Sequence, residues 1–256
     1  MRFPRVRRVL QGPRRTCGVV FVSEKGTPME SRDLELVLAC QAYNYELFHR
    51  LLGGEPSAAL LAEAKSDHAA WSLALAAAGY DEGAAEAGLP AESRVAGLVG
   101  ALGGLDATEE QAADLCGQYV NYLAGPSKGA AQPWESVYTS HRGLLFQETT
   151  LQVRDFYRSF GCIPAEYPRV ADDHVALECA FMAVLARRGA EALARGDSAE
   201  VERLLDGERR FLDEHLLVWL PRFADAIAKR PGDSVYQRAV CALTEVCAAD
   251  AAALRG

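Results

Sequence analysis

From Ser31 onward, apolar residues recur at three- and four-residue intervals. Leu34, Val37, Leu38, Tyr45, Phe48 and Leu52 form such a stripe before Gly53-Gly54, the pattern of an amphipathic helix stopped by glycine. A second run starts with Ser57 as its cap and passes Trp71 to Gly79. Thr108-Glu-Glu-Gln111 is a capping-box arrangement, in which the hydroxyl and the Gln side chain each satisfy a free backbone N–H. It predicts a helix through Tyr119 and Leu123. Thr149 or Thr150 opens another helix, closed by Gly161. The apolar run after Asp172-Asp173-His174 reaches about Arg195, where Gly196 stops it. Asp197-Ser-Ala-Glu200 starts the next, with its end expected near Leu220 because Pro221 lacks an N–H. Ser234-Val-Tyr-Gln237 opens the last. Only Val19–Val22 offers a β-like stretch. The pattern predicts an all-α domain of roughly eight to eleven helices, with no internal repeat.

The longest stretch without this periodicity is 125–148, GPSKGAAQPWESVYTSHRGLLFQE. It has the Gly, Pro and Ser of a loop together with Trp134, Tyr138 and Phe146, the composition of a packed or functional loop.

Charge changes the picture at the N-terminus. Residues 1–28 carry seven basic side chains against Glu24, a net of +6, whereas the remainder carries 20 basic and 34 acidic residues, a net of −14. The apolar stretch Gly18–Val22 after Arg7-Arg8 is too short for the core of an export signal. Residues 1–28 are therefore expected to be a basic tail outside the fold, or an upstream extension of a chain that starts at Met29; residues 29–256 are the helical domain. The acidic body disfavours nucleic acid as a partner and favours a cationic one. Seven cysteines without a CxxC pair predict reduced thiols in a cytoplasmic protein rather than disulfides or zinc. No apolar run approaches the length of a membrane span, so no stable membrane insertion is expected.

Candidate chemistry concentrates in RVADDHVALECAFM, residues 169–182. One of Asp172 and Asp173 suits the N-cap of the following helix, where a carboxylate accepts backbone N–H groups and meets the positive end of the dipole. His174 and Glu178, four apart, share a helix face. As a metal site they need further ligands, and the one ExxH, Glu46-Leu-Phe-His49, is expected at a helix surface. There is no GxSxG, GxGxxG or phosphate-loop pattern. The residues alone thus leave three readings open: a binding protein, a helical metal- or nucleotide-dependent enzyme using Asp172, Asp173, His174 and Glu178, or a helical scaffold.

Three stretches in order resemble the TorD/DmsD family of chaperones that mature molybdenum-containing redox enzymes. They are Pro133-Trp-Glu-Ser-Val-Tyr138 with Leu144–Glu148; Glu166-Tyr-Pro168 with Asp172-Asp-His174, Glu178, Phe181 and Met182; and Phe211-Leu-Asp-Glu-His-Leu-Leu-Val-Trp-Leu-Pro221 with Phe223. The likeness covers roughly residues 31–250. It departs at Ala171, where many members have proline, and at Cys179, where they have a polar residue. What the resemblance implies is a non-enzymatic, cytoplasmic protein without a cofactor of its own. It would bind the twin-arginine leader, or the apo form, of a molybdopterin-dependent oxidoreductase subunit until cofactor insertion, and act as a monomer or homodimer. The implied leader-binding residues are Asp172, Asp173, His174, Trp134, Tyr138, Glu166 and Glu178. Under that reading the aspartates take the leader's guanidiniums, and Trp134 and Tyr138 offer aromatic faces. His174 orients an aspartate or makes binding sensitive to pH near neutrality.

Overall fold

The computed structural model describes residues 31–124, 131–140, 145, 147–165 and 170–255. The basic segment 1–28 lies outside the described residues. Within them the chain forms α1 (Ser31–Gly53), α2 (Ala58–Ala64), α3 (Asp67–Ala77) and α4 (Glu82–Ala87). There follow α5 (Arg94–Gly103), α6 (Glu109–Tyr119), α7 (Glu135–Thr139) and α8 (Glu148–Ser159). The C-terminal half holds α9 (Val175–Arg195), α10 (Ser198–Phe211), α11 (Leu217–Ala228) and α12 (Val235–Arg255). Single π turns at Val120–Ala124 and Leu212–Leu216 extend α6 and join α10 to α11. The architecture is all-α, as the periodicity predicts.

Side-chain caps start many of these helices. Ser57, Thr108 and Asp197 accept from the N–H of Leu60, Gln111 and Glu200 at 3.2, 3.1 and 3.2 Å. At α12 the Gln237 Oε1 accepts from Ser234 N–H at 2.9 Å, the return half of a capping box. The run from Ser57 to Gly79 is two helices instead of one: Ser66 accepts from Ala69 N–H and begins α3 afresh. The predicted stop at Leu220 is also absent, since Pro221 sits inside α11. A π turn, Leu212–Leu216, immediately precedes α11, and Pro221 falls in the second turn of that helix.

α1 and α9 are the central pair, with Gly53 against Ala176 at one end and Leu38 against Gly189 at the other, so they run antiparallel. The approach is close at both: a Cβ on Gly53 would lie 2.8 Å from Ala176 Cβ, nearer than such atoms come, and one on Gly189 3.1 Å from Leu38 Cδ2, which would have to give way. His49, expected at a surface, instead lies partly buried in this seam with Nδ1 2.8 Å from Ala176 O. α10 packs on α9, while α12 packs on α5, α11, α3 and α1. Trp219, Phe211, Phe223, Tyr45 and Phe48 are fully buried between these layers.

Candidate functional site

The site forms where the segment after Ala131 crosses the N-terminus of α9. Trp134 and His174 make an isolated antiparallel bridge. Glu135 N–H donates to Asp173 O at 3.0 Å, and Val175 N–H to Pro133 O at 2.9 Å. Asp173 adds a side-chain tie, its Oδ2 accepting from Ser136 N–H at 2.8 Å. Asp172 points elsewhere. Its Oδ2 accepts from both Nε and Nη2 of Arg154 on α8, at 3.0 and 2.7 Å, and its carbonyl accepts from Tyr157 OH at 3.0 Å. Asp172 thus fastens α8, and Asp173 α7, to the start of α9, and both are fully buried.

Neither aspartate is the cap. His174 occupies that position, and its Nδ1 accepts from Ala176 N–H at 3.2 Å. A ring nitrogen that accepts carries no proton. Burial, and secondarily the neighbouring His49, lower the His174 pKa to about 4, so the ring is neutral near pH 7. The expected sensitivity near neutrality is therefore not a property of this histidine.

One turn into α9, Glu178 is fully buried and accepts from Trp219 Nε1 at 3.0 Å. Burial pushes its carboxyl well above the ordinary range, and the neighbouring Glu135 and Asp173 push it further, so the protonated form is favoured relative to an exposed glutamate. Glu135, also buried, faces His215 Nδ1 at 3.1 and 3.3 Å. His215 lies in the π turn before α11, and π turns frequently aim a side chain that a regular helix would not. Tyr138 stacks on Trp219 with ring centroids 5.6 Å apart and lies beside Phe223 at 5.8 Å. Burial pushes its hydroxyl up to about 12. Trp134 meets His174 edge-to-face at 5.1 Å and stays half-buried, its Nε1 without a hydrogen-bond partner among the described residues.

Asp172, Asp173, His174, Trp134, Tyr138 and Glu178 therefore share one corner, whereas Glu166 lies outside the described residues. The four polar groups of the enzyme reading are aimed apart: Asp172 at Arg154, Asp173 at Ser136, His174 at Ala176 and Glu178 at Trp219. Among the described residues no three His, Cys, Asp or Glu side chains are grouped as a metal requires. Sequence reasoning assigned no role to Glu135, Arg154, Tyr157 or His215. The signal for His215 is present, since it lies between Leu212, Leu216 and Trp219 on an otherwise apolar stripe. Nothing in the sequence marks Arg154.

The described parts of the three motif segments thus meet at one corner of an all-α body, where Trp134 and Tyr138 are half-buried. The family model described as nitrate reductase delta subunit matches residues 84–225, over half of the chain. The chain belongs to this family, the TorD-like chaperones of redox-enzyme maturation. It is 31% identical to the chaperone protein TorD of Photobacterium profundum over 151 residues, which are 59% of this chain and 67% of that protein. To the chaperone protein TorD of Vibrio cholerae it is 32% identical over 134 residues, 52% of this chain and 57% of the relative. The chain thus spans between about half and two thirds of the curated relatives it matches. No helix among the described residues is long and apolar enough to cross a membrane.

Proposed function

We propose that this protein is a cytoplasmic chaperone that binds the twin-arginine leader, or the apo form, of a molybdopterin-dependent oxidoreductase subunit. It holds that client for cofactor insertion and folding before export. The molybdenum cofactor belongs to the client. The observation that carries the reading is the convergence of the three family-like segments on one corner: Trp134, Glu135 and Tyr138 from the first, Asp172 to Glu178 from the second, His215 and Trp219 from the third.

The corner suits a peptide that carries paired guanidiniums followed by an apolar stretch. Asp172 and Asp173 supply carboxylates for the guanidiniums, in charge-assisted bonds. The half-buried Trp134 and Tyr138 rings offer apolar surface beside them, and His174, neutral, sets the angle of Trp134 without adding a repelling charge. Glu178 braces Trp219 beneath Tyr138, and Glu166, outside the described residues, is proposed as a further leader contact. The net −14 of residues 29–256 steers a basic leader towards the protein.

Calorimetric titration of the full chain with a twin-arginine leader from a molybdoenzyme of the same organism tests this. Saturable binding is expected, weakened by replacing the arginine pair with lysines and by Trp134→Ala. Absence of binding to leaders from every molybdoenzyme of the host would overturn the reading.

A further inference from the structure

The proposed guanidinium acceptor already holds a guanidinium. Asp172 is fully buried and bonded to Arg154, whose side chain is 23% exposed. The pairing is incomplete. Nε and Nη2 of Arg154 both use Oδ2, while Oδ1 is buried with no hydrogen-bond partner among the described residues. A guanidinium set along the carboxylate axis makes two parallel bonds, one to each oxygen. Asp173, next to it, likewise spends Oδ2 on Ser136 N–H and leaves Oδ1 buried and unpartnered among the described residues.

We infer that Arg154 is a resident stand-in for a leader arginine, and that client binding exchanges one guanidinium for the other on Asp172. The inference rests on the leader-binding reading and adds a step to it. In the free chaperone Arg154 keeps Asp172 from being buried without a counter-charge. In the complex the incoming arginine takes Oδ1 and Oδ2 together, and Arg154, already partly exposed, turns to water. Selectivity follows from the exchange itself. A lysine ammonium lacks the planar fork and gains nothing over the resident group, so a twin-lysine leader fails to displace it. Arg154 is thus a specificity-determining residue whose removal strengthens binding, the opposite of what a contact or supporting residue does.

The test uses the full chain, wild type and with Arg154→Lys or Arg154→Gln, titrated with the twin-arginine leader and its twin-lysine counterpart. Circular dichroism and thermal unfolding establish that each variant is folded. The expected order of affinity for the twin-arginine leader is Gln above Lys above wild type, with the Gln variant about tenfold tighter, a factor worth about 1.4 kcal/mol. Equal or weaker binding by folded variants overturns the exchange and leaves the leader reading standing. A wild type that binds no leader overturns both. A measurement on wild type alone covers variants that do not fold: the Arg154 Nε–H resonance should move on adding the twin-arginine leader and stay in place with the twin-lysine one. A bound twin-arginine leader that leaves this resonance unmoved overturns the exchange as well.

Discussion

At the N-terminus of α9 the buried carboxyls face donors: Arg154 for Asp172, a backbone N–H for Asp173, an indole for Glu178. Between α1, α10 and α12 lies a second buried pair, Asp250 and Glu208, provisioned differently. Asp250 accepts from Tyr80 OH, Tyr45 OH donates to Cys247 Sγ at 3.7 Å, and neither oxygen of Glu208 has a partner among the described residues. Among the described residues Asp250 has no cationic partner, and burial raises its pKa from 3.8 to about 6. It also carries Glu208 well above the ordinary carboxyl range, with Asp250 adding to the push. The first cluster contains a buried ion pair, Arg154 with Asp172, whereas among the described residues the second meets Asp250 with a hydroxyl and Glu208 with no donor. A buried acid can be kept by supplying a charge or by withholding one, and the two solutions respond differently to mutation and to pH.

Breaking the ion pair should have the largest effect. Arg154→Leu leaves Asp172 buried without its counter-charge and should cost about 3–5 kcal/mol in denaturant-induced unfolding. Tyr80→Phe, which removes one neutral donor from Asp250, should cost only about 1 kcal/mol.

The pH dependence separates the clusters next. Between pH 4 and 6 folded Asp250 holds its proton while the unfolded residue has lost it, so stability falls as pH rises through that window, by up to about 3 kcal/mol. Unfolding measured at intervals from pH 4 to 7 should show Asp250→Asn relieved of this fall. His174 works in the other direction. Its folded pKa of about 4 lies below the unfolded 6.5, so the unfolded chain takes up the proton first and stability falls as pH drops from 6.5 to 4, again by about 3 kcal/mol. His174→Asn keeps a good N-cap and should abolish that acid-side loss in the same series. In wild type the two slopes oppose each other, which the single variants should expose.

The smallest effect expected is that of Glu208→Gln. Burial favours the protonated form of this carboxyl, so exchanging it for an amide of like size should change stability by less than about 1 kcal/mol at neutral pH. A larger loss in the same unfolding assay would mean that Glu208 is ionised and the contrast between the clusters is wrong.

Much of the fold was legible because helices announce themselves locally. Ser57, Thr108 and Ser234 cap where their spacing predicts, and the α1 and α9 stripes are the faces that pack. The stretch 80–104 was not legible, since the glycines in Arg94–Gly103 hide a helix whose cap, Ser93, is plain only afterwards. Ser66 splitting one run in two and the π turn ahead of Pro221 depend on backbone geometry that periodicity does not encode. At the site, the sequence located the corner but not its wiring. Asp172 and Asp173 look alike in the chain, and only the position of α8 makes Arg154 the partner of the first. His174 was weighed as a ligand or a switch because a capping imidazole has no sequence signature distinct from either.

The α1–α9 seam also sets a schedule for synthesis. His49 waits for the backbone of Ala176, 127 residues further along the chain. At ribosomal rates of about 5–20 residues per second, the apolar stripe of α1 is without its partner for roughly 6–25 s. A member of a chaperone family must itself spend that interval as an unfinished chain, with the apolar face of α1 uncovered.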